Sequence, residues 1–157
     1  MKKKVTRPVA TPTSKLSKGD HSRERLVDAA IKIFAREGLG NASFQQIADA
    51  AGLKQSSLFY YFANKDELVN GVIQTVIRRS QTFVDSRISI RDDAFKKLHK
   101  YFQFMMAWAN EYPHEGEVLF LLYYYAAMQK PFSVFYSQVV TTARNRILEM
   151  LDRKSVV

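Results

Sequence analysis

Between residues 43 and 62 two short helical stretches meet at a single glycine, and this spacing constrains the fold more than any other feature of the chain. Ser43-Phe44-Gln45-Gln46 reads as an S-x-x-Q capping box. In such a box the serine hydroxyl accepts from the N–H of Gln46 while the Gln46 side chain reaches back to the cap. The helix it opens spans about 43–51, buries Ile47, Ala48 and Ala51, and stops at Gly52. A further helix begins near Gln55 and ends at Phe62, with Leu58 and Phe62 four residues apart on one face. Two short helices joined by so tight a turn make a helix-turn-helix.

The flanks are helical too. Leu26, Ala30, Ile33 and Phe34 recur at helical spacing and predict a first helix over 22–37, stopped by Gly38 and Gly40. After the pair, Asn64 is a cap with Glu67 at the box position, and Asp66 and Glu67 complement the positive end of the dipole. The fourth helix carries Leu68, Val69, Val72, Ile73, Val76 and Ile77 as its apolar stripe to about Phe83. Gly71 lies inside it at a cost of up to about 1 kcal/mol against alanine, with no local reason. Three more helices follow. One spans 90–111 with Phe95, Leu98, Phe102, Met105 and Met106 inward. One opens at Pro113 and carries 118–128. The last spans 132–153 with Phe135, Val139, Ala143, Ile147 and Leu151 at helical spacing. No alternating run bounded by turns suggests a strand. The expected fold is all-α, about seven helices: a basic disordered arm over 1–20, a three-helix helix-turn-helix head over 21–69, and a helical ligand and dimer body over 70–157.

Charge narrows the partners. The chain carries a formal +9, an excess that favours polyanions, either nucleic acid or an acidic surface. Residues 1–25 hold eight Lys or Arg against two acids, so most of the excess sits in the arm. The arm has Pro8 and Pro12 and few large apolar residues, too few to fold alone. Lys2 to Lys4 are followed by no apolar h-region, so it does not read as a secretory signal. The apolar stretch 118–128 is about half of the roughly 20 residues that span a bilayer, so no membrane insertion is expected. The chain has no cysteine, which excludes disulfides, thiolate zinc sites and a cysteine nucleophile. His21, His99 and His114 have no ligand-like spacing, so neither a metal nor a cofactor is expected. No Gly-rich phosphate loop or recognisable catalytic constellation points to an enzyme.

The chemistry lies in what the helix pair leaves exposed. The third helix opens Lys54-Gln55-Ser56-Ser57, a small polar turn that a phosphate backbone can approach. Gln55 is the residue type that pairs bidentately with adenine, and serine bonds several base edges. Tyr60 and Tyr61 point away from the Leu58 and Phe62 face, placed to donate to phosphates or touch base methyls. Lys65 is placed to neutralise a phosphate.

The segment from Arg23 to Ile73 resembles the DNA-binding head of the tetracycline-repressor (TetR) family. The matching marks are A-x-x-x-F-A-x-x-G (Ala30, Phe34, Ala35, Gly38), I-A-x-x-A-G (Ile47, Ala48, Ala51, Gly52), S-L-F-Y-Y-F (Ser57 to Phe62) and N-K-x-x-L (Asn64, Lys65, Leu68). The resemblance implies an α-helical, cytoplasmic homodimer whose heads enter successive major grooves of a pseudo-palindromic operator in double-stranded DNA. It further implies transcriptional repression, relieved by a small-molecule effector in the body. It implies DNA contacts from Ser43, Phe44 and Gln45, and from Lys54, Gln55, Ser56, Ser57 and Tyr60, with Tyr61 and Lys65 on phosphates.

Four departures from the family pattern matter. Lys54 stands where the family has Ser or Thr, so the third-helix cap is weaker by about 1 kcal/mol while a phosphate-seeking charge is added. Phe59 replaces a tyrosine, so that ring is expected in the core. Phe44 replaces a small polar residue, leaving only its backbone for a phosphate. The pattern ends after the seventh helix, so the body is expected to be shortened and to lack the last family helices. Two questions stay open at this level. Phe102, Met105, Met106, Trp108 and Tyr123 to Tyr125 are either the lining of an effector cavity or plain core. The arm is either a solvated tail or a DNA-tracking strand, and a truncated or non-dimerising regulator, or an arm-based polyanion- or membrane-binding helical module, is the rival function.

Overall fold

The computed structural model describes residues 18–128 and 133–152. Among them are seven helices and no strand: α1 (Lys18–Asn41), α2 (Phe44–Ala50), α3 (Gln55–Tyr61), α4 (Lys65–Asp85), α5 (Ala94–Glu111), α6 (Pro113–Met128) and α7 (Ser133–Leu151). The all-α expectation is met helix for helix. Residues 1–17 of the expected arm lie outside the described residues, but Lys18 to Asp20 do not belong to an arm: they form the first turn of α1, where Asp20 complements the dipole. Gly38 breaks α1 near its end with φ 82° and ψ 162°.

The head packs as the sequence requires. Leu26, Ala30 and Phe34 of α1 and Ala48 of α2 are fully buried, as are Leu58 of α3 and Leu68 and Val72 of α4. The same core runs on without a gap into Trp108 of α5, Val118 and Leu122 of α6 and Val139 of α7. α1 lies along α6 as well as against α2, α3 and α4, so head and body share one core, and α4 crosses the expected boundary at residue 69 as one helix.

Gly71 acquires its reason here. A Cβ on it would come within 2.8 Å of Cε1 of the buried Phe62 ring. Phe62 is in turn covered by the Arg23 guanidinium, 5.1 Å above its centroid. Gly71→Ala therefore sets a gain in helix propensity of about 1 kcal/mol against an overpacking cost of about 1–3 kcal/mol. A net loss of about 1 kcal/mol is expected, read as a fall of about 2–4 °C in Tm. A rise in Tm would show that Phe62 yields without cost.

α5 departs from expectation. It begins at Ala94, not near residue 90: the Asp93 side chain accepts from the Lys96 N–H at 2.9 Å and caps it, while Ile90 is exposed in the preceding turn. Its inward face is also different. Phe95, Phe102 and Met106, expected inside, are 78%, 54% and 64% exposed; Met105 turns to the interior as expected, beside Tyr101 and the buried Trp108. The helix carries two apolar stripes. Phe95 and Trp108 are thirteen residues apart and so about 140° apart around the axis, too far to share one core face. The indole removes more apolar surface from water than any other α5 side chain, and its side wins. In α7, Val139 is buried and Ala143 and Ile147 are half-buried. Phe132 and Arg153, and the side chains of Phe135 and Leu151, lie outside what is described.

Candidate nucleic-acid interface

α2 begins with the expected capping box. Ser43 Oγ accepts from the Gln46 N–H at 3.2 Å, and the Ser43 N–H donates to Gln46 Oε1 at 2.9 Å. Gln46 is fixed further by donating to Glu37 Oε2 at 3.2 Å, and Gln45 by donating to Asp49 Oδ1 at 2.7 Å. α2 ends in a tight reversal. Gly52 adopts φ 64°, the left-handed region that favours glycine, and the Leu53 N–H donates back to the Ala48 carbonyl at 2.9 Å. Arg25 of α1 donates to the Ala51 carbonyl, pinning the turn to the first helix. Sequence reasoning did not find Arg25, because its acceptor is a backbone atom 26 residues away.

α3 is seven residues long and buries Leu58 alone. Lys54 stands at its cap in extended geometry with no side-chain cap bond, as expected for a lysine there. Lys54 and Ser56 are exposed, Gln55 and Ser57 half-buried, and Tyr60 is 82% exposed. Tyr60 stands edge-on to Tyr61, with centroids 5.0 Å apart, while Tyr61 itself is half-buried against the core. An exposed phenol braced by a second, anchored ring is held in place with its hydroxyl free to donate. The expectation that Phe59 joins the core is not met. It is 53% exposed, with its ring 5.0 Å from that of Phe44. Leu58 and Phe62 define the buried side of this short helix, so Phe59 falls beyond it and packs across to the start of α2. The Phe44–Phe59 contact thus ties the first turn of α2 to α3 at the outer surface.

Two cap details refine the next turn. Asn64 accepts from the Glu67 N–H at 2.9 Å, as expected, but Glu67 closes on the Ala63 N–H at 2.7 Å, one residue before the cap. Lys65 reaches back to donate to the Gly40 carbonyl at 2.6 Å. The ammonium is compact and carries three donors, so one spent on Gly40 fixes its position and leaves the charge in place at the end of α1.

The candidate effector residues do not come together. Trp108 is plain core, and Phe102 and Met106 lie on the outer face of α5 beside Phe95. Only Met105 and Tyr123 meet, in an open-sided cavity of about 200 Å³ lined by α4, α5, α6 and α7. Tyr125 is half-buried near Gly38 and Gly40, and Tyr124 is exposed. The cavity's polar wall, including Gln74, Arg78 and Arg146, was missed, since polar residues beside the apolar stripe of a helix give no local sign of lining a cavity. Among the described residues no group of three or more His, Asp or Glu side chains is placed to hold a metal ion, and no helix is long and apolar enough to cross a membrane.

Residues 26–72 match the family model described as bacterial regulatory proteins, tetR family. The chain is similar to the HTH-type nicotine-responsive transcriptional repressor HdnoR of Paenarthrobacter nicotinovorans, at 27% identity over 113 residues, covering 61% of this chain and 58% of that protein. It is 37% identical over 68 residues to the HTH-type transcriptional repressor KstR2 of Mycobacterium tuberculosis, covering 41% of this chain and 34% of that protein. A solved transcriptional regulator from Rhodococcus sp. RHA1 superposes with a TM-score of 0.70 at 22% identity, covering 83% of this chain and 69% of that one. That likeness speaks to the fold. The chain spans well under two thirds of the length of either curated relative.

Proposed function

We infer from residues 26–72, which match the model of the tetR family of bacterial regulatory proteins, that this chain is a sequence-specific DNA-binding regulator of transcription, a repressor released by a small-molecule effector. The observation that carries the reading is the surface of α3: one side chain buried, and Lys54, Ser56 and Tyr60 presented outward from a turn that Arg25 holds to α1. Gln55, Ser56, Ser57 and Tyr60 read or grip the major groove. Ser43, Phe44 and Gln45 approach the backbone from the start of α2, Phe44 through its main chain only. Lys54, Tyr61 and Lys65 face phosphates. Two heads on one pseudo-palindrome need two chains, since paired heads read half-sites about one helical turn or a multiple of it apart. The exposed apolar side chains of α5 and α6, Phe95, Phe102, Phe120 and Tyr124 among them, offer surface for that pairing. The effector reading is supported by the cavity between α4 and α7 and by the responsiveness that the name of the nicotine repressor records for that relative. Such a regulator works beside the chromosome, in the cytoplasm, and calls for no catalysis.

Fluorescence anisotropy with a duplex from the gene's own upstream region, against a scrambled duplex, tests the reading at about 50 and 200 mM salt, where phosphate-driven binding collapses. The native duplex is expected to keep its advantage at the higher salt. Gln55→Ala is expected to remove roughly 1–3 kcal/mol of that discrimination per head. Equal binding of both duplexes, lost with salt and lost on deleting residues 1–17, would instead leave only a basic arm at work.

A further inference from the structure

We propose that the cavity between α4 and α7 takes a small carboxylate with a one-ring or short-chain apolar body, its carboxylate held by Arg146; this rests on the effector reading above. Size comes first. At about 200 Å³ the cavity somewhat exceeds the roughly 150 Å³ that accepts a benzene molecule in an apolar protein interior. It therefore holds one ring, or a chain of similar bulk, with one small substituent. Ile77, Met105, Leu119 and Val139 supply the apolar wall.

The charge of the lining selects the substituent. Among the described residues two guanidinium groups, Arg78 and Arg146, line the cavity, and no carboxylate does. A ligand ammonium would meet Arg78 and an Arg146 whose acid partner, Asp85, lies outside the lining, so the site disfavours amines. Arg146 also has unused capacity. Its side chain is 17% exposed and pairs with Asp85 through Nη2, while its Nε–H is buried without a hydrogen-bond partner. A guanidinium carries five donors in one plane, so it can take a second carboxylate beside the one already paired to it. An anion in the cavity shares the Arg146 guanidinium with Asp85. Asp85 ends α4, the helix that starts at Lys65 directly after the α3 turn. The ligand thus shares an arginine with the end of the helix that carries the reading head.

Isothermal titration of the full chain without DNA tests the assignment, using benzoate, hexanoate, benzamide and benzylamine as probes. Benzoate or hexanoate is expected to bind, and benzamide and benzylamine to bind at least about tenfold more weakly, about 1.4 kcal/mol. Arg146→Gln is expected to weaken the carboxylate by the same factor. Asp85→Asn breaks the same ion pair but keeps the guanidinium, and is expected to retain or tighten carboxylate binding. Failure of every carboxylate to bind at millimolar concentration, a preference for benzylamine, or equal losses in Arg146→Gln and Asp85→Asn would overturn the proposal. The anisotropy assay on the same protein reads the regulator separately: specific DNA binding with no carboxylate binding sinks this inference and leaves the regulator standing, while the reverse result retains the site and removes the regulator.

Discussion

Phe62→Ala is expected to remove about 3–5 kcal/mol of stability, the cost of emptying an aromatic site in a closed core. The ring is 2% exposed, stands at the end of α3, and is roofed by Arg23 and backed by Gly71. Neither neighbour can refill the space, since one is a charged side chain at the surface and the other has no side chain. Total stabilities of domains are about 5–15 kcal/mol, so the variant loses a large share and its head loosens first. Urea unfolding measures the loss, and DNA anisotropy should show specific binding gone at the same protein concentration. Phe62→Leu, which keeps most of the volume, should lose no more than about 1.5 kcal/mol. A loss below about 1 kcal/mol in Phe62→Ala would mean that the ring is not the floor of the head.

The second large effect belongs to Arg79. From α4 it donates to Asp28 Oδ1 of α1 and to Glu115 Oε1 of α6, both at 2.8 Å, tying the head's first helix to the centre of the body. Burial alone would lower the pKa of Arg79, but its hydrogen bonds to Glu115 and then Asp28, with their charges, hold it above the usual arginine value. The exposed arm to Asp28 contributes little. The arm to Glu115 is different, because Glu115 is 8% exposed and its Oε2 is already buried without a partner. Removing the cation strands that carboxylate. For a fully buried pair the cost is about 3–5 kcal/mol, and with Arg79 itself part-exposed the expected loss in Arg79→Met is about 2–3 kcal/mol. Adding Glu115→Gln should return most of it, since the stranded charge and not the lost contact carries the penalty. If the double variant is no more stable than Arg79→Met, the ion pair is not what joins head to body.

The parts of the molecule that were legible in its sequence are those whose physics closes within a few residues. The Ser43–Gln46 box, the Asn64 cap, the stop at Gly52 and the uncapped Lys54 each need only three or four neighbouring residues, and each stands where the pattern put it. The single apolar stripes of α1 and α4 likewise left one choice of buried face. α5 carried two stripes, and pattern alone placed Met105 rightly but turned Phe95, Phe102 and Met106 inward when they stay outside. Phe59 was assigned to the core by analogy with its tyrosine counterpart, but a seven-residue helix has room to bury only one narrow edge. The candidate effector set came together only in part: Met105 and Tyr123 line one cavity, whereas Phe102 and Met106 lie on the outer side of α5 and Trp108 is buried in the core.

What no local pattern announces is a polar contact between distant helices. Arg25, Arg79 and Arg146 find their partners 26, 51 and 61 residues away, and in the sequence each is one basic residue among 24. By itself the sequence determined the helices, their caps, the turn between α2 and α3 and the outward-facing character of Lys54, Ser56 and Tyr60, because backbone hydrogen bonding and helical periodicity are short-range. Only the tertiary structure decided which stripe of α5 faces inward, that head and body share one core, and that two arginines line the cavity. Those outcomes depend on which surfaces compete for burial, and that competition exists only once the helices are packed together.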